Sequence, residues 1–171
     1  MSGYLLDSNI FIQPHRLYYP FDLAPSFWRR LAEVLKMNDV LIIDKVSDEI
    51  LFSEDELSDW FKKWRKFTNI FFVENDGEIC KNYALIINYI RNCGFYKITA
   101  LKSWSEAIAD PWLIAVAMSN GYKIVTDEQS AGKNFSKKHP HGKVKIPDIA
   151  EHFKVQCITL FDFMRIKHFV L

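Results

Sequence analysis

The sequence predicts an α/β domain with a mostly parallel central sheet and helices on both of its faces, a three-layer α/β/α arrangement. Three observations carry that prediction. Short apolar runs such as Val40-Leu41-Ile42-Ile43 alternate with longer stretches whose apolar residues recur at helical spacing. Strands of this kind are covered on both faces, as parallel sheets require. Three of the runs end in an acid, at Asp7, Asp44 and Asp127, and in such sheets ligands gather at the carboxyl ends of the strands.

The elements follow in order along the chain. Tyr4-Leu5-Leu6 is a buried strand that stops at Asp7-Ser8-Asn9, residues that favour turns and caps. After breaks at Pro14 and from Pro20 to Pro25, Ser26 to Lys36 places Phe27, Leu31, Val34 and Leu35 on one helical face. Val40 to Ile43 is the second strand. Val46 and Ile50 then set the buried side of a short helix, and Ser53 with Glu56 forms a candidate capping box for a helix from Glu54 to Phe67. Ile70 to Val73 is a weaker strand, followed by a long helix from Asp76 to Asn92 closed by Gly94. Asp110 stands where an N-cap belongs, Pro111 at the first helical position and Gly121 just past the end, so the apolar run Trp112 to Met118 reads as a central, buried helix. Lys123 to Thr126 is a strand ending at Asp127-Glu128. Val144 to Ile146 and Val155 to Ile158 are further strand candidates, and a last helix runs from Thr159 towards His168.

Composition narrows the class. A chain of 171 residues with 49% hydrophobic and 25% charged residues is expected to fold as one globular domain over 1–171. The net charge of +1 removes any argument for nucleic acid from overall basicity, so such a role must rest on local charge. Cys80, Cys93 and Cys157 are odd in number and widely spaced, and no apolar leader or spanning run precedes the first strand. A cytoplasmic location with no membrane association is the expectation.

The acids carry the chemistry. Carboxylates gathered at one sheet edge repel one another and lose hydration, so they need a cation or raised pKa values to persist together. A hard divalent ion resolves the conflict: magnesium takes one or two carboxylates, keeps several waters and leaves room for phosphate oxygens, which points to phosphodiester hydrolysis. Singly, each acid has a plainer explanation: a strand-end turn for Asp7 and Asp127, an N-cap for Asp110, a solvated helical position for Glu49. Their joint placement, two after strands and one opening the helix before the last of these, favours a shared site.

The same residues carry a resemblance. Tyr4-Leu-Leu-Asp-Ser-Asn-Ile-Phe-Ile12, then Ala109-Asp-Pro-Trp-Leu-Ile-Ala115 and Ile124-Val-Thr-Asp-Glu128, resemble in order the first, third and fourth acidic motifs of the PIN domain family. Val46-Ser-Asp-Glu-Ile-Leu51 falls where the second belongs. With Tyr18-Tyr-Pro-Phe-Asp22 and Lys145-Ile-Pro-Asp148, the likeness to a PIN-like branch of small prokaryotic proteins spans nearly the whole chain. The resemblance implies a magnesium- or manganese-dependent ribonuclease, often the toxin of a toxin–antitoxin pair. Its metal and catalytic residues would be Asp7, Glu49, Asp110 and Asp127. Asp48 adjoins Glu49 but points about 100° away on a helix, so one of the two faces the site, and Glu49 is the choice. Glu128 beside Asp127 is a second-shell acid or a loop charge, and Ser8 or Asn9 either bonds a phosphate or ligating carboxylate or caps the following turn.

Between Gln129 and Pro147 there is no acid, while Lys133, Lys137, Lys138, Lys143 and Lys145 accumulate. They form a candidate grip on RNA phosphates, with a solvated loop as the plainer reading. Trp60, Phe61 and Trp64, interleaved with Lys62, Lys63, Arg65 and Lys66, would suit stacking on bases if exposed and core packing if not. His139, His141 and Cys157 match no usual zinc framework. The expected protein is thus an endoribonuclease with an RNA substrate, a possible small antitoxin partner and possible self-association. The alternative is an inert PIN-like module that binds RNA or protein. A metal-dependent phosphatase is disfavoured because no second Asp follows Asp7 two residues on.

Overall fold

The central strand is the one met first in the sequence. β1 (Tyr4–Leu6) has Leu5 and Leu6 wholly buried and is paired on both sides, in parallel with β2 (Val40–Ile43) and with β4 (Lys123–Val125). In this computed structural model, which describes residues 3–105, 108–132 and 136–171, β3 (Asn69–Phe71) and β5 (Cys157–Ile158) complete an all-parallel sheet in the order β3-β2-β1-β4-β5. Both edge strands are short, which limits the unpaired backbone left open to a partner.

Parallel strands need crossovers, and helices supply them. These are α1 (Asn9–Gln13), α2 (Pro25–Val34), α3 (Asp44–Phe52), α4 (Glu56–Trp64), α5 (Gly77–Asn92), α6 (Ile98–Ser105), α7 (Asp110–Asn120), α8 (Ile146–His152) and α9 (Leu160–Ile166). α1 runs on as one π-helical turn, Pro14–Tyr18. One helical layer is knitted by aromatics: Phe11 of α1 meets Phe61 of α4 edge to face at 6.1 Å, and Trp28 of α2 meets Trp60 at 5.0 Å. The other is centred on α7, which buries Leu113, Ile114, Ala115, Val116 and Ala117 and stacks Trp112 on Tyr83 of α5 at 4.0 Å. A helix apolar on nearly every side belongs in the interior, as its sequence predicts. Among the described residues no helix is long and apolar enough to cross a membrane.

Several sequence expectations are corrected. Val144 to Ile146 is not a strand: Lys145 is extended, but Ile146 opens α8 with Pro147 in its first turn. α4 is capped by Asp55, whose carboxylate accepts from the Ser58 amide at 3.0 Å, and not by Ser53. Asp110 is the first residue of α7 with no capping bond, its place before the helix being taken by Ala109. Short α1, α6 and α8 went unread, because one or two turns give too little periodicity to register. By contrast, α5 starts next to Asp76, which caps it through the Glu78 and Ile79 amides, and Gly121 ends α7 at φ +66°, where the sequence predicts a helix start and a helix end.

Substituting Ile114→Ala should destabilise the protein by about 3 kcal/mol, the transfer loss plus the cavity it leaves. Leu85→Ala, on the exposed side of α5, should change stability by less than about 0.5 kcal/mol. Denaturant unfolding of both variants checks the placement of the core.

Candidate metal centre at the carboxyl edge of the sheet

Asp7 immediately follows the central strand and is only 3% exposed. Its backbone amide continues the sheet by donating to the Val125 carbonyl at 3.0 Å, so the side chain is fixed relative to β4 before any side-chain bond is made. The Thr126 hydroxyl then donates to Asp7 Oδ2 at 2.8 Å. That hydroxyl also accepts from Asn9 Nδ2 at 2.9 Å and from the Glu128 amide at 3.1 Å. With both acceptor positions filled, the single proton of Thr126 can point only at Asp7. Asn9 adds a second tie, its Oδ1 accepting from the Asp127 amide at 3.1 Å.

Glu49 and Asp110 approach from the two elements that flank this corner. Glu49 lies on α3, directly after β2, and its Oε1 accepts from the Ala109 amide at 3.0 Å, next to Asp110. Asp110 opens α7 and its Oδ2 accepts from Trp104 Nε1 at 3.0 Å. Each therefore has one oxygen oriented by a protein donor. Burial pushes the Asp7 carboxyl up to about 7, opposed by the Thr126 hydroxyl and reinforced by the charges of Glu49 and Glu128. Burial likewise raises Asp110 well above the ordinary carboxylate range, with Asp7, Glu128 and Glu49 adding to the effect. Asp7, Glu49, Asp110 and Glu128 thus share one electrostatic environment. Asp48 is exposed.

Asp127 is placed differently from its sequence expectation. Its Oδ1 accepts from the Leu160 amide at 2.9 Å, at the start of α9, and its Oδ2 accepts from the Tyr18 hydroxyl at 3.2 Å. Glu128 is among the charges that raise both Asp7 and Asp110. Glu128 is held by Lys145 Nζ and by the Ile146 amide at the start of α8. Asp44, the remaining strand-end acid, accepts from the Val73 amide at 3.3 Å and joins the ends of β2 and β3.

The other expected contacts divide. Asn9 is committed to Thr126 and Asp127, and Ser8 Oγ reaches Asp7 Oδ1 only at 3.5 Å. Lys145 lies within the site as the partner of Glu128. Lys137 and Lys138 are exposed, with the Lys137 stem running past Gly94 at the end of α5. Lys133 lies outside the described residues. Thr126 was missed altogether: in the sequence it reads as one more β-branched residue finishing a strand.

The donor set suits a hydrated divalent ion. Among the described residues, no basic side chain pairs with Asp7, Glu49 or Asp110, and no group of three acidic, histidine or cysteine side chains closes into a ready-made cage. Magnesium, which keeps most of its waters and takes one or two carboxylates, asks for such an acidic pocket more than for a closed cage.

Parallel β-strands between two helical layers, with acids from β1, α3 and α7 meeting at the carboxyl edge, define a PIN-like α/β/α fold. The chain belongs to the family described as a domain of unknown function, DUF4411, whose model matches residues 4–171. Among solved structures it is similar to a chain of VapBC2 from Rickettsia felis, bound in that structure to a DNA fragment from the promoter. The two share 13% identity and a TM-score of 0.54, covering 91% of this chain and 97% of the other. At that identity the likeness is one of fold. No curated protein gives a significant match.

The raised carboxyl of Asp7 has a measurable consequence in metal-free protein. An acid whose pKa rises on folding, here from 3.8 to about 7, favours the folded state while protonated, so its contribution is complete below about pH 4 and is lost as the pH climbs through 7. Metal-free protein should therefore be less stable at pH 8 than at pH 4, by on the order of 4 kcal/mol from this group. Asp7→Asn should flatten that dependence. Separately, Thr126→Val keeps the shape but strands the Asn9 amide and the Glu128 N–H, and should cost about 1–3 kcal/mol, whereas Thr126→Ser should be tolerated. Chemical denaturation across pH, with chelator present, measures all three.

Proposed function

We propose that the protein is a divalent-metal-dependent endoribonuclease, with magnesium or manganese as its ion. The observation that carries this reading is the convergence of Asp7, Glu49 and Asp110 into one environment that raises the pKa of two of them and, among the described residues, offers no basic side chain to any of the three. Groups arranged against their own ionisation are a costly feature to retain without a function, and perturbed carboxyls at a sheet edge mark functional sites.

In this reading Asp7, Glu49 and Asp110 hold the ion, directly or through water, and Glu128 acts as the outer acid in place of Asp127. When bound, the ion lowers the pKa of a water and stabilises charge on the leaving oxygen of the phosphodiester. The chain's own groups do the positioning. Thr126 donates to one Asp7 oxygen and so fixes the orientation of that carboxyl. Trp104 and the Ala109 amide do the same for Asp110 and Glu49. Lys145 balances the charge of Glu128. Asp127 is a positioning residue that fixes α9 and Tyr18 relative to β4. Lys137 and Lys138, exposed in the segment that follows β4, would contact RNA phosphates. The resemblance to PIN-domain toxins and to VapBC2 supports a toxin restrained by a small antitoxin partner, and self-association is compatible with the same reading.

Purified protein should cut RNA when magnesium or manganese is supplied, and chelation should abolish cutting. Asp7→Asn should lower kcat by more than the about 10–100-fold that loss of an outer-shell partner costs, with far-ultraviolet circular dichroism unchanged. Glu49→Ala should weaken metal binding by calorimetry, and Asp48→Ala should match the parent. Failure of the parent to cut a panel of structured and unstructured RNAs with either metal would favour an inert binding module.

A further inference from the structure

The acidic centre described above repels phosphates until a cation is bound, and a basic groove lies elsewhere on the chain. Along the outer edge strand β3, a groove of about 490 Å³ is lined by Lys62, Arg65, Lys66, Thr68, Ile70 and Phe72. The last three alternate along the strand and so share one face, with the cations arriving from the end of α4 opposite them. Lys62 shares its charge with Asp59 at 3.0 Å, but among the described residues no carboxylate pairs with Arg65 or Lys66. No acid lines the groove.

Two large apolar rings stand beside these cations in solvent, Phe67 at 51% and Phe72 at 54% exposure. Lys66 Nζ sits 4.9 Å from the Phe67 ring centre, as a cation–π pair. The aromatics that the sequence interleaves with this charge turn out differently: Phe61 is wholly buried, and Trp60 packs on Trp28. Strand register fixes where the groove leads. Leu5 pairs with Leu41, Leu41 with Asn69 and Ile43 with Phe71, so Asp7, two residues beyond Leu5, lies in the row of Ile43 and Phe71. Phe72 is one residue past that row, on the same carboxyl edge as the acids. Two strand spacings, about 10 Å, separate it laterally from β1.

We propose that this groove binds the backbone of single-stranded RNA, with Arg65 and Lys66 on phosphates and Phe72 stacked on a base, and feeds the strand towards the acidic centre. The inference rests on the ribonuclease reading for its direction, but binding to the groove is independent of cleavage. Charge complementarity selects a polyanion, and the exposed rings select unpaired bases, because a duplex offers no free base face along its length.

The test is fluorescence anisotropy of a labelled single-stranded 20-mer RNA in chelator, across a salt series, using full-length protein. Arg65→Gln with Lys66→Gln should lower affinity about tenfold and reduce the slope of log K against log salt by about 1.4, the share of two single-strand phosphates. Phe72→Ala should lower affinity between about 5- and 150-fold with the slope unchanged, because stacking releases no counterion. The double variant Lys81→Gln with Lys154→Gln removes the same charge away from the groove and should leave binding near the parent's. Equal weakening by that pair, parent-like binding by the groove variants, or no binding by the parent would overturn the proposal. Tighter binding of double-stranded DNA through the same residues would overturn the substrate class. If the groove variants bind poorly but the parent never cuts RNA, the groove stands and the ribonuclease reading falls. If the parent cuts and the groove variants bind and cut equally well, the reverse holds.

Discussion

One hydroxyl organises the carboxyl edge of this sheet. Thr126 ends β4 with its proton committed to Asp7 and its acceptor positions filled by Asn9 and the Glu128 amide. The end of β1, the start of α1 and the segment leaving β4 therefore meet at a single atom. Because every bond of that atom is used, its polarity is fixed: Thr126 has a donor for Asp7 and nothing to spare for another acceptor. The hydroxyl lowers the Asp7 pKa but loses to burial, which leaves the carboxyl near 7. The site is consequently ordered before any ion arrives, and it is electrostatically unfavourable in that order. A bound cation would relieve the repulsion without requiring the corner to rearrange, which is the usual meaning of preorganisation at a charged site.

The fold was legible where periodicity or capping chemistry spoke over several residues. The apolar strands, the all-round apolar α7 and the Asp76 and Gly121 boundaries of α5 and α7 all followed from spacing and side-chain type. Their energetics are local or dominated by burial, so the sequence contains the decisive information. α8 was misread because Val144-Lys145-Ile146 alternates like a strand, while Pro147 favours a helix start at Ile146, and two signals of similar weight met at one residue. Asp110 was legible as a helix-start residue but not as an acid facing Trp104, since α6 was itself unread.

The fourth acid shows the limit more sharply. Asp127 and Glu128 are adjacent, both past the end of β4, and nothing within their own segment distinguishes them. What does is the arrival of two later helix starts: α9 brings the Leu160 amide to Asp127, and α8 brings the Ile146 amide with Lys145 to Glu128. Helix N-termini attract carboxylates through unpaired amides and the helix dipole. Here each claims a different acid, and the longer side chain of Glu128 keeps its charge within reach of Asp7 and Asp110 while serving its own helix. A choice made by partners 18 and 33 residues away has no local signature.

A net charge of +1 concealed how unevenly the charge is distributed. The carboxyl edge gathers Asp7, Glu49, Asp110 and Glu128, the last paired with Lys145, whereas the end of α4 and the turn after it concentrate Lys62, Lys63, Arg65 and Lys66. The separation has a physical rationale if the substrate is a polyanion. Cations set among the acids would neutralise them through short ion pairs and remove the vacancy for a divalent ion, as Lys145 partly does for Glu128. Cations set two strands away escape that pairing and keep their charge for phosphates. At that distance, comparable to the screening length of about 8–10 Å, the basic groove and the acidic centre interact weakly in physiological salt. In the proposed reading each would hold its own ligand, a backbone phosphate in one and a metal ion in the other, without either charge cancelling its neighbour.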